Sequence, residues 1–517
     1  MQRRSPDILD EIANSLNRGI DEFAKWLTVI LSKHLPILLG KWIGSMQGRE
    51  VPIERSMLAK KKTSISPDEL GYSINERRLI KFDEINFSRH TFISGASGWG
   101  KSYLFKILIE NNLRNKRPLV YIDPKGSSSE IQTFINLCEK YGRKYYIFSE
   151  HYPHSSQFNP FANLNPEQIV EGVIRSFNWG LNPEQYYLNK AQEILSDVVY
   201  DLRARGIIVD FHTILEGVLA HKNKDEASGL IANLKTICRS SFGKLLKDSF
   251  INNSGKGFKN SAMTMRRALD EGACIYIGAS TQGYGSMART IGKIFVNELL
   301  QLSHYRGVVA RSPLENIGSP FAVFIDEAGS ILFQDFIDLV NKARSSGIQI
   351  YTAVQSMQDF DALAGGKPFM KQLFECYSNF IFLRQSGPES AEMVSSLFGT
   401  YISKKETNVI EDGDKTGKGS MREVNEFRVH PDIVKELNVG QALFLSLGPR
   451  KFHLLNLRNP EQTVYKKKNF IKGKEVINDI YKPRNTIHHD YRKNNVQSAF
   501  VNQQGFHKSI SFKGERR

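Results

Sequence analysis

Gly95-Ala96-Ser97-Gly98-Trp99-Gly100-Lys101-Ser102 has the form G-x-x-x-x-G-K-S, the pattern of a phosphate-binding P-loop. Its surroundings agree. Thr91-Phe92-Ile93-Ser94 reads as a short buried strand, and Tyr103 to Ile109 reads as the start of a helix. Glycines in such a loop let backbone N–H groups converge on phosphate oxygens, and the helix N-terminus adds its positive dipole. In that pattern Lys101 contacts the outer phosphates of ATP and Ser102 holds Mg2+.

A second signature lies downstream. Phe321-Ala322-Val323-Phe324-Ile325 is a buried strand that ends in Asp326-Glu327-Ala328. Asp326 is the candidate Mg2+ carboxylate, and Glu327 is the candidate general base that orients the attacking water. The strand Ile348 to Thr352 leads to Ala353-Val354-Gln355-Ser356. Gln355, polar at a strand end, is a candidate sensor of the terminal phosphate. Arg344 and Arg384 stand near strand ends and are candidates for an arginine that completes the site.

The 517 residues exceed one ordinary core, so two or more domains are expected. The apolar share of 40% and the charged share of 24% are those of a soluble globular protein. The net charge of +16 points to a polyanionic partner, nucleic acid or an anionic membrane face. Four cysteines, Cys138, Cys238, Cys274 and Cys376, include no C-x-x-C pair, which argues against structural zinc and a disulfide framework. A reducing cytoplasm is therefore expected, and because the first residues are charged and polar rather than an apolar core, no cleavable signal peptide is expected. The apolar run from Trp26 to Ile43 is broken by Lys33, His34, Pro36 and Lys41. A mid-span lysine costs about 3 kcal/mol, so an amphipathic helix fits better than a true span. It would dock on protein or on a membrane face, with Trp26 and Trp42 as anchors.

The chain divides by pattern. Residues 1–65 read as a helical N-terminal arm. Residues 66–163 and 254–464 alternate strands and helices. Further buried strands read at Leu119 to Asp123, Tyr145 to Phe148, Ala273 to Ile277 and Phe380 to Leu383. Near-continuous apolar strands separated by helices mean an α/β fold with a mostly parallel sheet covered on both faces. Residues 164–253 read as helices only, an inserted all-α domain. Its long helix opens at Asn182-Pro183-Glu184 and carries Tyr187, Ala191, Ile194, Leu195, Val198 and Val199 at helical spacing. Residues 465–517 are polar and basic. Thirteen lysines and arginines stand against four acidic residues there, the composition of a flexible basic tail.

The order of motifs resembles one family. Gly95 to Ser102, Asp123-Pro124-Lys125-Gly126, Phe158-Asn159-Pro160 and the helical insertion come first. Asp326-Glu327-Ala328, Arg344-Ser345-Ser346-Gly347-Ile348, Ala353-Val354-Gln355-Ser356, Phe427-Arg428-Val429-His430-Pro431 and Gly440-Gln441-Ala442 follow. Together they look like the TraD/TraG coupling proteins of type IV secretion and conjugation, related to the FtsK/HerA DNA-pumping ATPases. The resemblance covers about residues 90–460. It implies a RecA-like P-loop ATPase, a homo-oligomeric ring of six, and DNA-stimulated movement of DNA. It also implies docking of a relaxase–DNA complex or other cargo on a secretion channel, at the cytoplasmic face of the inner membrane. The insertion would be the part that meets cargo or DNA. A related FtsK/HerA-type motor, a protein-secretion ATPase and a nucleotide-gated cargo adaptor are the alternatives. The 26–43 segment departs from the family's two clean N-terminal spans, and Trp99 is bulky where such loops have a small residue.

Overall fold

The computed structural model describes residues 52–460, apart from 86–87, 180–184, 249–261, 309–319, 331–334, 361–365 and 412–413. Of the expected N-terminal arm, the described part is a short 3-10 turn, Arg55–Ala59, followed by chain without regular secondary structure. The 26–43 segment and the basic tail lie outside the described residues.

Thirteen strands are described: β1 Glu69–Ser73, β2 Arg78–Lys81, β3 Thr91–Ser94, β4 Leu119–Asp123, β5 Tyr145–Ser149, β6 Cys274–Gly278, β7 Phe321–Ile325, β8 Ile348–Val354, β9 Asn379–Phe382, β10 Thr400–Glu411, β11 Asp414–Phe427, β12 Gln441–Leu447 and β13 Arg450–Leu457. Eleven form one sheet in the order β2-β1-β13-β12-β9-β3-β8-β7-β4-β6-β5. From β9 to β5 every neighbouring pair is parallel. From β9 outward through β12, β13, β1 and β2 the pairs are antiparallel. Strands β10 and β11 pair with each other as a separate hairpin.

The parallel strands are apolar throughout because both faces are covered. Their side chains alternate between two cores. Val120, Ile122, Val323 and Ile325 enter one, and Leu119, Tyr121, Ala322 and Phe324 enter the other. The second core is closed by α1 (Lys101–Arg114) and α2 (Ser128–Lys140), which contribute Leu104, Leu108, Ile131 and Phe134. Burying each such side chain contributes about 2 kcal/mol. A buried ion pair, Arg458 to Glu110 at 2.9 Å, ties the end of β13 to α1.

Between β5 and β6 the chain forms α3 (Pro166–Ser176), α4 (Gln185–Ala204), α5 (Phe211–Ala220), α6 (Ser228–Arg239) and α7 (Met265–Asp270). Helix α8 (Thr281–Val308) follows β6. The apolar faces of α3 to α6 enter the same core as the sheet's other face and α8. In α4 the buried residues are Ala191, Ile194, Leu195, Val198, Val199 and Leu202. Tyr187 departs from the expected stripe and is 57% exposed, because it lies in the first turn, ahead of the buried stretch.

The Phe158-Asn159-Pro160 motif pins this excursion to the sheet. Asn159 is fully buried. Its amide donates to Val209 O at 3.2 Å and to Asp248 Oδ2 at 2.9 Å, and its Oδ1 accepts from Phe161 N. Asp248 in turn accepts from Ala262 N at 2.8 Å. The outgoing and returning chains meet where Asn159 N donates to Met263 O at 3.0 Å.

Candidate nucleotide site

Strands β3, β8, β7 and β4 are consecutive in the sheet and parallel, so their C-terminal ends lie in a row. That row collects the chemistry. The Gly95–Ser102 loop leaves β3, Gln355 follows β8, Asp326 and Glu327 follow β7, and Lys125 follows β4. Ligands of open α/β sheets bind outside the carboxyl ends of the strands.

The loop depends on its glycines. Gly98 and Gly100 adopt φ of 81° and 99°, a region that residues with a Cβ rarely enter. Gly95 N donates to Val354 O at 3.3 Å and Ala96 N donates to Arg384 O at 2.9 Å, which fixes the loop to the strands on either side. Lys101 opens α1 and is 7% exposed. Its ammonium donates to Gly95 O, and to Ala96 O at 3.3 Å. Burial holds its pKa below the usual lysine value, opposed by the nearby Asp326 carboxylate.

Asp326 is 2% exposed, and its Oδ1 accepts from Glu327 N at 2.9 Å. Burial pushes its carboxyl up, opposed first by the Lys125 ammonium. Glu327 has φ of 42°, unusual for a residue with a side chain and costing about 1 kcal/mol. Its Oε1 accepts from Gln355 Nε2 at 2.6 Å and lies 2.9 Å from Lys125 Nζ. The structure therefore brings Lys101, Asp326, Glu327 and Gln355 to one edge.

The two arginines separate. Arg384 stacks over Trp99 of its own loop, 4.3 Å from the ring centroid. This also accounts for the bulky Trp99: it is a platform for a cation beside the loop. Arg344 opens a 3-10 turn ahead of β8 and is exposed. The length of β8 puts it roughly 20 Å from the loop of its own chain.

Sequence reasoning assigns no role to three residues of the site. Lys125 sits in a turn where its own N–H donates to Asp123 Oδ1 at 2.9 Å. Asp123 Oδ2 accepts from Tyr276 Oη at 2.5 Å. Burial pushes the Asp123 carboxyl up, countered by that hydroxyl. Asp359 Oδ2 accepts from Gln355 N at 3.1 Å and Ser356 N at 3.0 Å. Ser356-Met357-Gln358-Asp359 has the S-x-x-D capping pattern, a signal sufficient to find it. A cleft of about 780 Å3 runs from Gly100 and Tyr103 to Lys60, Lys61, Asn438 and Val439. Among the described residues no cluster of metal-ligating side chains of three or more members is present, and no helix is long and apolar enough to cross a membrane.

The fold and the row of strand ends define a RecA-like P-loop NTPase architecture. Comparison with known proteins gives two family matches, each over part of the chain. Residues 320–439 match the TraM recognition site of TraD and TraG, and residues 69–253 match the central domain of the helicase HerA. The likeness to TraD and TraG and the likeness to HerA thus each rest on a stretch shorter than half of the chain. It is similar to the bacterial conjugative coupling protein TrwB, at 16% identity over 79% of this chain and 94% of that one, with a TM-score of 0.53. The same protein in complex with ADP and Mg2+ gives a TM-score of 0.55 at 16% identity, over 79% of this chain and 93% of that one. The DNA import protein CedB of Sulfolobus acidocaldarius is 24% identical over 315 residues, 57% of this chain. The match spans 45% of that relative's length.

Proposed function

We propose that this protein is an ATP-driven motor that moves DNA and couples a relaxase–DNA complex, or another secretion cargo, to a type IV secretion channel. The observation that carries the reading is the row β3-β8-β7-β4, which sets Lys101, Gln355, Glu327 with Asp326, and Lys125 side by side. The residues fit a nucleotide with Mg2+. An added Cβ at Gly98 would meet nothing within 4 Å, so there is open space at the loop. Lys101 offers a buried ammonium and Asp326 a buried carboxylate. Loop N–H groups of Ser97, Gly98 and Gly100, with Lys101, hold the phosphates, while those of Gly95, Ala96 and Trp99 are spent on carbonyls that shape the loop. Ser102 and Asp326 hold Mg2+, which supplies charge neutralisation on the phosphates. The cleft beside Gly100 and Tyr103 has the size of a small-molecule site.

Glu327 takes the proton of the attacking water, and Gln355 fixes the direction of that carboxylate. Arg384 and Trp99 brace the loop from within the chain. Arg344, too far from its own loop, serves a neighbouring copy in a ring of six. DNA as the moved polymer is supported by the net charge of +16 and by the likeness to a DNA import protein. Residues 26–43 would bring the ring to the cytoplasmic face of the inner membrane.

The test is the ATPase rate with and without single- and double-stranded DNA at two salt concentrations. Stimulation by DNA that weakens with salt is expected. Turnover indifferent to DNA favours a protein-secretion ATPase. Absent turnover favours a nucleotide-gated adaptor.

A further inference from the structure

Lys125 is placed with more care than a surface lysine needs. Its backbone is held by Asp123, which accepts from Lys125 N and from the Tyr276 hydroxyl. The next residue, Gly126, has φ of 57°, and a Cβ there would come within 3.2 Å of Ala279 N. The turn is therefore locked against the end of β6, and the freedom left to Lys125 is in its side chain. That side chain is 40% exposed, and its Nζ lies 2.9 Å from Glu327 Oε1 and 3.9 Å from Asp326 Oδ2. The same oxygen, Glu327 Oε1, accepts from Gln355 Nε2 at 2.6 Å.

The carboxylate expected to activate water is thus neutralised by a lysine on the neighbouring strand end. Water screens a half-exposed lysine–carboxylate pair and leaves it weak, so a stronger anion can take the lysine. The terminal phosphate of a nucleoside triphosphate is such an anion. Bound at the loop, it arrives between Lys101, on the β3 side of Asp326 and Glu327, and Lys125, on the β4 side. A diphosphate lacks the group that reaches past Asp326.

We propose that Lys125 is a positioning residue that senses the terminal phosphate: it holds Glu327 in the absence of triphosphate and exchanges that carboxylate for the phosphate when triphosphate binds. Glu327 is then released toward the attacking water only with the correct nucleotide in place. The inference rests on the P-loop reading of the preceding subsection.

The test compares binding of ADP and of a non-hydrolysable ATP analogue, each with Mg2+, to the full-length protein by calorimetry. Lys125→Met is expected to weaken the analogue about tenfold and ADP less than about twofold. Lys125→Arg keeps the charge and retains most of the discrimination. Glu327→Gln removes the competing carboxylate, so it tightens the analogue and leaves ADP unchanged; adding Lys125→Met abolishes that gain. Equal losses for both nucleotides, or no loss for either, overturn the proposal. If Lys125→Met does not fold, analogue affinity in Glu327→Gln that stays at the wild-type value overturns it alone. Wild-type protein that binds neither nucleotide instead overturns the P-loop reading.

Discussion

Gln355 Nε2 donates to Glu327 Oε1 at 2.6 Å from the adjoining strand end, so the candidate base is steered by a neighbour of fixed register. Glu327→Gln is expected to bind ATP but to hydrolyse it at least about a hundredfold more slowly, the scale of general-base catalysis. Gln355→Ala should lower turnover with little effect on ADP affinity. Steady-state turnover and nucleotide binding measured on both variants check this. Normal hydrolysis by Glu327→Gln would place the base elsewhere.

Lys101→Ala removes the one ammonium that the loop itself carries. Loss of measurable ATP and ADP binding is expected, read by fluorescence of a labelled nucleotide. Turnover at the wild-type rate would refute the assignment of the loop.

The ease of reading these residues has a physical cause. Lys101, Asp326 and Glu327 belong to local motifs, and their strands are apolar because both faces are buried. The pairing of Lys125 with Glu327 and the stacking of Arg384 on Trp99 depend on which strands lie side by side, which local sequence does not encode. The hairpin β10–β11 was illegible for a different reason. Lys404, Lys405, Arg422 and Glu423 are exposed, so no alternation of apolar and polar residues marks the strands. Strand β12, with Ala442-Leu443-Phe444-Leu445, carried an apolar signal as clear as that of β4.

Glu298 on α8 offers a pH test of the core. It is 8% exposed, its Oε1 accepts from Met265 N at 3.0 Å, and burial pushes its carboxyl up to about 8. Arg266, His304 and Tyr305 line the small cavity it faces. The folded state therefore binds this proton more tightly than the unfolded one, in which an ordinary glutamate releases it near pH 4.5. The associated stability is full below that value and is lost as pH rises toward about 8. Glu298→Gln should be more stable than wild type at pH 8 by about 4 kcal/mol, and within about 1 kcal/mol of it at pH 5 by thermal unfolding. A constant difference across that range would contradict the buried, protonated carboxyl.

DNA binding should be independent of sequence and sensitive to salt, because neutralised phosphates release counterions and log affinity falls linearly with log salt. The basic residues of 465–517 are expected to contribute to that slope. Fluorescence anisotropy at several salt concentrations, with and without this segment, gives the measurement. Removal of the segment should flatten the slope, and an unchanged slope would mean that it makes no phosphate contacts.

The final prediction concerns the arginines. Arg384 lies over Trp99 of its own chain, so Arg384→Ala should loosen the loop and weaken nucleotide binding within one protomer. Arg344 stands at the opposite end of β8, where its charge acts on His90 and helps burial lower the His90 pKa to about 4. If it completes the site of a neighbouring copy, Arg344→Ala should spare ATP binding and remove hydrolysis, as loss of an arginine finger does. Mixing Arg344→Ala with Lys101→Ala protein then restores part of the activity. A mixed ring contains interfaces that pair an intact loop with an intact arginine, which neither variant forms alone. Absence of rescue, together with full-rate hydrolysis by a monomer, would show that each chain completes its own site.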